Sequence, residues 1–458
     1  MNKSKKSISV IYSIVFVFLI VFIPLREILA TYIGSFVKAI PDVIIFILLV
    51  YTLISKNKKL KFDKSDFFAI GFIVVAAIST LIINKMGIKV FILETRSMFL
   101  YYVLYFVIRN TDLDEKVYDK FLVALQISFV FVSLFAIIEK LFAKSVLFPS
   151  SWAEKITSKN NFLRVYSFFN NPNTFGFYNF LVMAILYLDK KFLKNKRIFI
   201  LFPLAINNIW MSGSRSTILV CTFFTLMMII KNYKLLLNKD ILISIAKIIV
   251  ISLFIITAVN LSTSYFEKRL DSVTKIEKEH HVIVEEKAVK NDGKVETEIV
   301  KKDTSTSNRI KDLFGEDYVK TSKSDGRIYK IKKGFEVLKD KPIFGSGFGS
   351  MGDAASLMNT PKENYLKYRI DEKFYMDNEY MKDFTETGII GILLFGIFLL
   401  LILITYIKNY EKFILCLSTF AFGLFTNVFE VQIITFMFVI ALSRKSNWVI
   451  NNEEQKRS

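Results

Sequence analysis

Three arginines stand apart from the lysine-rich stretches of this chain. Arg164 opens a segment running through Ser167, Asn170, Asn171, Pro172, Asn173 and Thr174. Arg215 sits in Ser212-Gly213-Ser214-Arg215-Ser216, and Arg327 follows Ser324-Asp325-Gly326. A guanidinium is a planar fork of donors that matches phosphate oxygens and keeps its charge when partly desolvated. Gly, Ser and Asn flanks let backbone N–H groups and small hydroxyls converge on the same anion. Each arginine alone also fits a side chain snorkelling to lipid headgroups. Further on, Asp377, Glu379, Asp383 and Glu386 crowd the entrance to an apolar run. Carboxylates in a first helical turn are ordinarily partners of the helix dipole, and one of them is also placed to act as a general base toward a hydroxyl.

The elements that must position these groups are membrane helices. Of 458 residues 53% are hydrophobic, and the apolar residues fall into repeated runs of the length that spans a bilayer, which a soluble core does not require. The expected fold is an all-α polytopic membrane protein of about twelve transmembrane helices with one large extracytoplasmic loop. The runs are drawn at 7–25, 36–54, 67–84, 88–108, 121–141, 173–188, 197–212, 215–231, 241–260, 388–407, 411–427 and 429–444. The fourth carries Glu94 and Arg96 inside it. Residues 1–260 hold helices one to nine, 261–387 the loop domain, and 388–458 the last three helices and a cytoplasmic tail. The N-terminal run is read as a first transmembrane helix, since it has no small-residue cleavage site.

A formal net charge of +20 invites a nucleic-acid reading, but the excess lies in short breaks such as Lys56 to Lys59, Lys190 to Arg197, Lys231 to Lys239 and Lys408 to Lys412. Such breaks mark cytoplasmic loops, and with both termini inside they hold roughly three times the Lys and Arg of the short outer breaks. The count puts 142–172, 211–216 and 261–387 outside the cytoplasm, beyond the reach of cytosolic ATP and nucleotide sugars. Within the long loop, 267–320 reads as an exposed or partly disordered insertion. Residues 326–338 read as an amphipathic helix with Ile328, Ile331, Phe335 and Leu338 on one face. The turn Gly345-Ser346-Gly347-Phe348-Gly349 lacks the Lys-Ser/Thr of a P-loop and reads as a turn packed closely on the membrane helices. Cys221 and Cys416 lie in apolar runs without CxxC spacing, and His280-His281 has too few companion ligands for a metal.

The order Arg-x-x-Ser-Phe-x-Asn-x-Pro-Asn from Arg164, Ser-Gly-Ser-Arg-Ser around Arg215, Gly326-Arg327 followed by Pro342-x-x-Gly345-x-Gly347, and Asp377-Asn378-Glu379-Tyr380 before Glu386-x-Gly388-Ile-Ile-Gly391 resembles the O-antigen ligase and polymerase family. These are integral membrane glycosyltransferases of bacterial surface polysaccharide assembly. The resemblance implies a GT-C-like architecture in the bacterial cytoplasmic membrane, no cofactor, and an undecaprenyl-diphosphate-linked oligosaccharide as donor. It implies Arg215, Arg327 and Asp377 as catalytic groups, with Arg164, Asn170, Asn173, Ser214, Ser216, Asn378 and Glu379 binding substrate. It also implies a flippase and a chain-length regulator as partners besides the lipid bilayer, and no nucleic acid. The family's ligases often carry His-Asn where this chain has Asp377-Asn378, which leaves Asp377 as the substitute base and leans toward a polymerase of capsular or other surface glycan. A flippase, the reading from another class, is expected to line a central cavity with charges deep inside several spans.

Overall fold

The computed structural model describes residues 3–54, 60–111, 113–142, 164–189, 195–234, 238–273, 282–291, 294–303, 326–352, 367–368, 370 and 374–444. Every apolar run is helical. In chain order the helices are α1 (Lys3–Ile33), α2 (Ile40–Ile54, entered through the 3-10 turn Ser35–Ala39), α3 (Lys64–Ala77, continued by the π-helical turn Ile78–Ile83), α4 (Ile88–Arg109) and α5 (Glu115–Leu141). There follow α6 (Pro172–Tyr187), α7 (Ile198–Ser212), α8 (Arg215–Lys231), α9 (Lys239–Val273), α10 (Arg327–Asp340), α11 (Glu379–Tyr406), α12 (Tyr410–Phe422) and α13 (Gln432–Ser443). Strands β1 (Val282–Asn291) and β2 (Lys294–Asp303) pair antiparallel, with Asn291 opposite Lys294. They fall within the segment that composition alone reads as an exposed insertion.

Seven of the described helices are long and apolar enough to cross a membrane: α1, α2 and α3 with their 3-10 and π turns, α4, α5, α9 and α11. The other five apolar helices, α6, α7, α8, α12 and α13, are 12 to 17 residues long. They are shorter than the ~20 residues that cross hydrocarbon unaided. Two of them form the middle of the bundle. All of α13 but Ser443 is buried, as is most of α6. Aromatic rings join the helices: Phe16 of α1 meets Phe436 of α13 edge-on at 6.3 Å, and Phe72 of α3 lies 5.1 Å from Phe395 of α11. The outward faces remain apolar, with Phe254 72%, Ile14 64% and Phe46 64% exposed. An apolar surface of that extent fits a bilayer as solvent, and the chain is a multi-pass helical membrane protein.

The helix ends sort into two groups. At one end Arg109 pairs with Asp66 (2.5 Å) and Asp63 (2.7 Å), Lys231 with Glu411, and Arg444 with Asp189 at 3.5 Å. The described residues Lys196, Arg197, Lys231 and Lys408 of the basic breaks belong to this end. The arginine-bearing turns before α6, α8 and α10 lie at the other.

The feature that ties the loop to the bundle is a break in α11. That helix starts at Glu379, nine residues before the run drawn from composition, and Gly388 interrupts it with φ +68°. The interruption leaves main-chain groups in need of partners, and the glycine-rich turn supplies them. Ser346 N donates to Thr385 O (2.9 Å), Gly347 N to Glu386 O (2.8 Å), and Ile389 N to Pro342 O (2.9 Å). Glu386 Oε1 accepts from Ser350 N (2.9 Å) and Met351 N (3.0 Å). The π turn of α3 closes the other side, where Thr80 Oγ1 accepts from Phe348 N (2.9 Å) and Ser79 Oγ donates to Glu386 O (3.0 Å). The expected close packing of this turn is thus what the structure shows.

Helix α10 is present where expected, and protein covers part of its expected stripe, Leu338 being buried and Ile331 packed beside it. Gly334, Val337 and Leu338 are buried against Met351, Met376 and Met381, whereas Ile328 and Phe335 are 48% and 50% exposed. Gly334 lets this face come close: a Cβ there would lie 2.6 Å from Met381 Cε and 2.9 Å from Thr385 Oγ1, and those side chains would have to shift to admit it.

A Cβ at Gly388 would lie 2.2 Å from Ile343 O in a backbone conformation that side chains resist, while one at Gly396 meets nothing within 4 Å. Gly388→Val should therefore lower thermal stability in detergent by at least ~1–3 kcal/mol. Gly396→Ala should leave it unchanged or raise it by up to ~1 kcal/mol. Thermal unfolding of the two purified variants checks both signs.

Candidate functional site

The residues singled out from sequence fall into two neighbouring corners at the same end of the bundle. The first is built on α6, α7 and α8. Asn171 caps α6 by accepting from Asn173 N at 2.8 Å, with Pro172 at the first helical position. Arg164 lies across this start. Its Nε donates to Ser212 O (2.7 Å) at the carbonyl end of α7, and its Nη2 donates to Asn173 Oδ1 (2.7 Å). Gly213 then turns the chain with φ +57°, and Ser214 caps α8 by accepting from Thr217 N at 3.3 Å. Ser214 and Ser216 are buried and share a contact of 3.2 Å, whereas Arg215, first residue of α8, is exposed. Asn170 is exposed beside them.

Sequence reading missed the group that shapes this corner. Glu139 of α5 is 3% exposed and accepts from Tyr166 N (3.2 Å) and Ser167 N (2.6 Å), while Ser167 adopts φ +52° and donates Oγ to Val132 O (2.9 Å). A buried carboxylate thus holds the backbone that delivers Arg164. Its signal in the sequence is slight: one acid near the end of an apolar run.

The second corner is the turn between α12 and α13. Three successive carbonyls in it receive three donors from the loop side: Gly423 O takes Glu379 N (2.9 Å), Leu424 O takes Asn378 Nδ2 (3.0 Å), and Phe425 O takes Arg327 Nη2 (3.0 Å). The Arg327 guanidinium also lies 5.7 Å over the Phe425 ring. Asn378 is the cap of α11, accepting from Met381 N at 2.8 Å. Asp377 precedes it, about one-third exposed, with Lys330 Nζ of α10 3.0 Å from Oδ2. Glu379 is fully buried, its Oε2 accepting from Phe429 N at 2.9 Å, so the structure places it behind this corner. Tyr375 is half-buried close by. Desolvation first, then the carboxylates of Glu430 and Asp377, push its phenol well above the ordinary value, which leaves it a neutral hydroxyl.

One helix separates the corners. A Cβ at Gly176 of α6 would touch Ser212 Oγ and Thr217 Oγ1, each at 2.8 Å, while the adjacent Phe177 stacks on Phe422 at 3.9 Å, at the foot of the carbonyl turn. The Arg215 turn and the end of α12 that leads into the turn holding Arg327 therefore both pack on the first turns of α6. Helices α6, α8, α10 and α11 all begin here. Their positive dipole ends add to Arg164, Arg215 and Arg327, so the region favours an anion with several oxygens. Among the described residues no group of three or more His, Cys, Asp or Glu is arranged to hold a metal ion, and His280-His281 lies outside them.

Glutamine at position 139 keeps one acceptor but turns an amide toward a backbone N–H that now meets oxygen. Glu139→Gln should destabilise the protein by ~1–3 kcal/mol in thermal unfolding, the range for a buried donor left without its acceptor. Glu115→Gln, at the lysine-rich end and more exposed, should be within ~0.5 kcal/mol of the parent.

No curated protein matches the chain. A family model does, and the match runs from the third residue of α7 through the Arg215 turn, the long loop, α10 and the glycine-rich turn into α11. Over residues 200–396 the chain matches the model described as O-Antigen ligase, and the match supports an O-antigen ligase/polymerase-like family.

Proposed function

We propose that the protein is a polymerase of lipid-linked oligosaccharide repeat units, acting at the outer face of the bacterial cytoplasmic membrane for capsular or other surface polysaccharide. The observation that carries this reading is the pair of arginine corners flanking α6 beside a carboxylate and an asparagine cap. In it, Arg164, Arg215 and Arg327 grip the diphosphate of an undecaprenyl-linked donor. They stabilise the charge that grows on the leaving diphosphate as the glycosidic bond breaks. An acceptor sugar hydroxyl attacks the anomeric carbon, and Asp377, held by Lys330, takes or orients its proton. Asn378, Ser214, Ser216, Asn170 and Asn173 order the two arginine turns or contact substrate, and Glu379 supports them from behind. The step uses a preactivated donor, so it needs no nucleotide and no cofactor.

The family description favours one other reading, transfer of finished glycan to a different acceptor, as a ligase performs. The donor chemistry is shared, and the product tells them apart. A polymerase deletion strain accumulates single lipid-linked repeat units, whereas a ligase deletion strain accumulates long lipid-linked chains. A flippase deletion leaves repeat units on the inner leaflet.

Losing a charge-stabilising contact of this kind costs ~3 kcal/mol, about a hundredfold in rate. In a deletion strain complemented with Arg215→Ala or Arg327→Ala, surface polymer should fall by that factor with normal protein levels in the membrane. Wild-type chain lengths in both strains would remove these arginines from the reaction.

A further inference from the structure

Lys382 lies on α11 just behind Asp377 and Asn378, with its side chain wholly buried. Its ammonium meets four carboxylates. Nζ is 2.9 Å from Glu94 Oε1 of α4, 3.2 Å from Glu379 Oε1 and 3.6 Å from Asp383 Oδ1, and it hydrogen-bonds Glu430 Oε1. None of these groups is more than 7% exposed. A buried charge left without partners is costly, so such a centre persists only where its geometry is well made. The partners also come from three separate parts of the chain. Glu430 belongs to the α12–α13 turn, whose carbonyls at 423, 424 and 425 receive Glu379, Asn378 and Arg327, and Phe429 of the same turn donates to Glu379.

We infer that Lys382 is a positioning residue: through Glu430 it fixes the α12–α13 turn, and through that turn it sets where Arg327 and Asn378 stand. The turn leaves α12 at Phe422 and is pinned at its far side by the Lys382–Glu430 and Glu379–Phe429 bonds. Release of Glu430 leaves that side with the Glu379–Phe429 bond alone, while α12 still holds the other. The guanidinium of Arg327 and the cap at Asn378 then lose a fixed reference, although neither touches Lys382. This inference rests on the reading of Arg327 and Asn378 as site residues, and it adds a group that neither touches substrate nor follows from the arginine motif.

The test compares Glu430→Gln with Glu94→Gln in the full-length protein in detergent, with Lys382→Gln as the severe variant. Glu430→Gln and Glu94→Gln each remove one carboxylate from Lys382 and leave it paired with the others, but only Glu430 belongs to the turn. Amide hydrogen exchange of residues 423–431 and affinity for undecaprenyl diphosphate are measured for each. In Glu430→Gln, exchange in the turn should rise about tenfold and affinity fall about tenfold, while exchange in α1–α5 stays at the parent rate. In Glu94→Gln the turn should stay within about threefold of the parent. Equal exchange in the two variants would show a charge-balancing role only and overturn the inference, as would an unchanged turn in Glu430→Gln. If the parent fails to bind undecaprenyl diphosphate, the diphosphate-donor reading fails, and the exchange comparison alone decides the role of Lys382.

Discussion

A bilayer interior offers no water to an unpaired backbone group, and α11 is interrupted at Gly388 with its main chain turned aside. The donors and acceptors so released have to be met by protein. The glycine-rich turn meets them, with Gly345 and Gly347 at φ +72° and +86° coming close enough to bond Thr385, Glu386 and the residues after the break. This exchange bolts the long loop to the bundle. Because α10 ends at Asp340, immediately before the bolted turn, the position of Arg327 follows from it. The π turn of α3 serves the same joint, since its irregular backbone brings Ser79 and Thr80 to the seam.

From that joint the polar groups of the arginine end are ordered by main chain more than by one another. Arg164 is held by the last carbonyl of α7, and Arg327 by a carbonyl of the α12–α13 turn. Asn378 both caps its own helix and donates to that turn. Backbone carbonyls on rigid helix ends are fixed references, and side chains held by them are placed with little freedom. The two corners approach because Gly176 and Phe177, neighbours on α6, face different partners: one the Ser214 turn, the other Phe422.

Much of the helix layout was legible because hydrocarbon length leaves its mark on sequence: each apolar run is a helix. The count of spans was less legible, since α6, α7, α8, α12 and α13 are too short to be distinguished by length from buried core helices. The start of α11 was misplaced by nine residues because Lys382, Asp383 and Glu386 look like loop when their partners are unseen; Glu94, itself an oddity in α4, is one of those partners. The stripe of α10 was legible only in part, since protein covers Ile331 and Leu338 and leaves Ile328 and Phe335 exposed. Periodicity shows that Ile328 and Phe335 share a stripe but not whether protein covers it, and Gly334, against which Met381 lies, has no side chain to register. The arginines and the Asn378 cap were legible from their Gly, Ser and Asn surroundings. Glu139 was not, because a single acid near a helix end carries no pattern.

The α12–α13 turn is grasped through its carbonyl oxygens, which every residue type supplies. The Leu424 side chain is 49% exposed while its carbonyl holds Asn378. That side chain can therefore vary, and with it the outline of the surface at the arginine end, without disturbing the scaffold beneath. Constancy of grip and freedom of outline coexist at one residue.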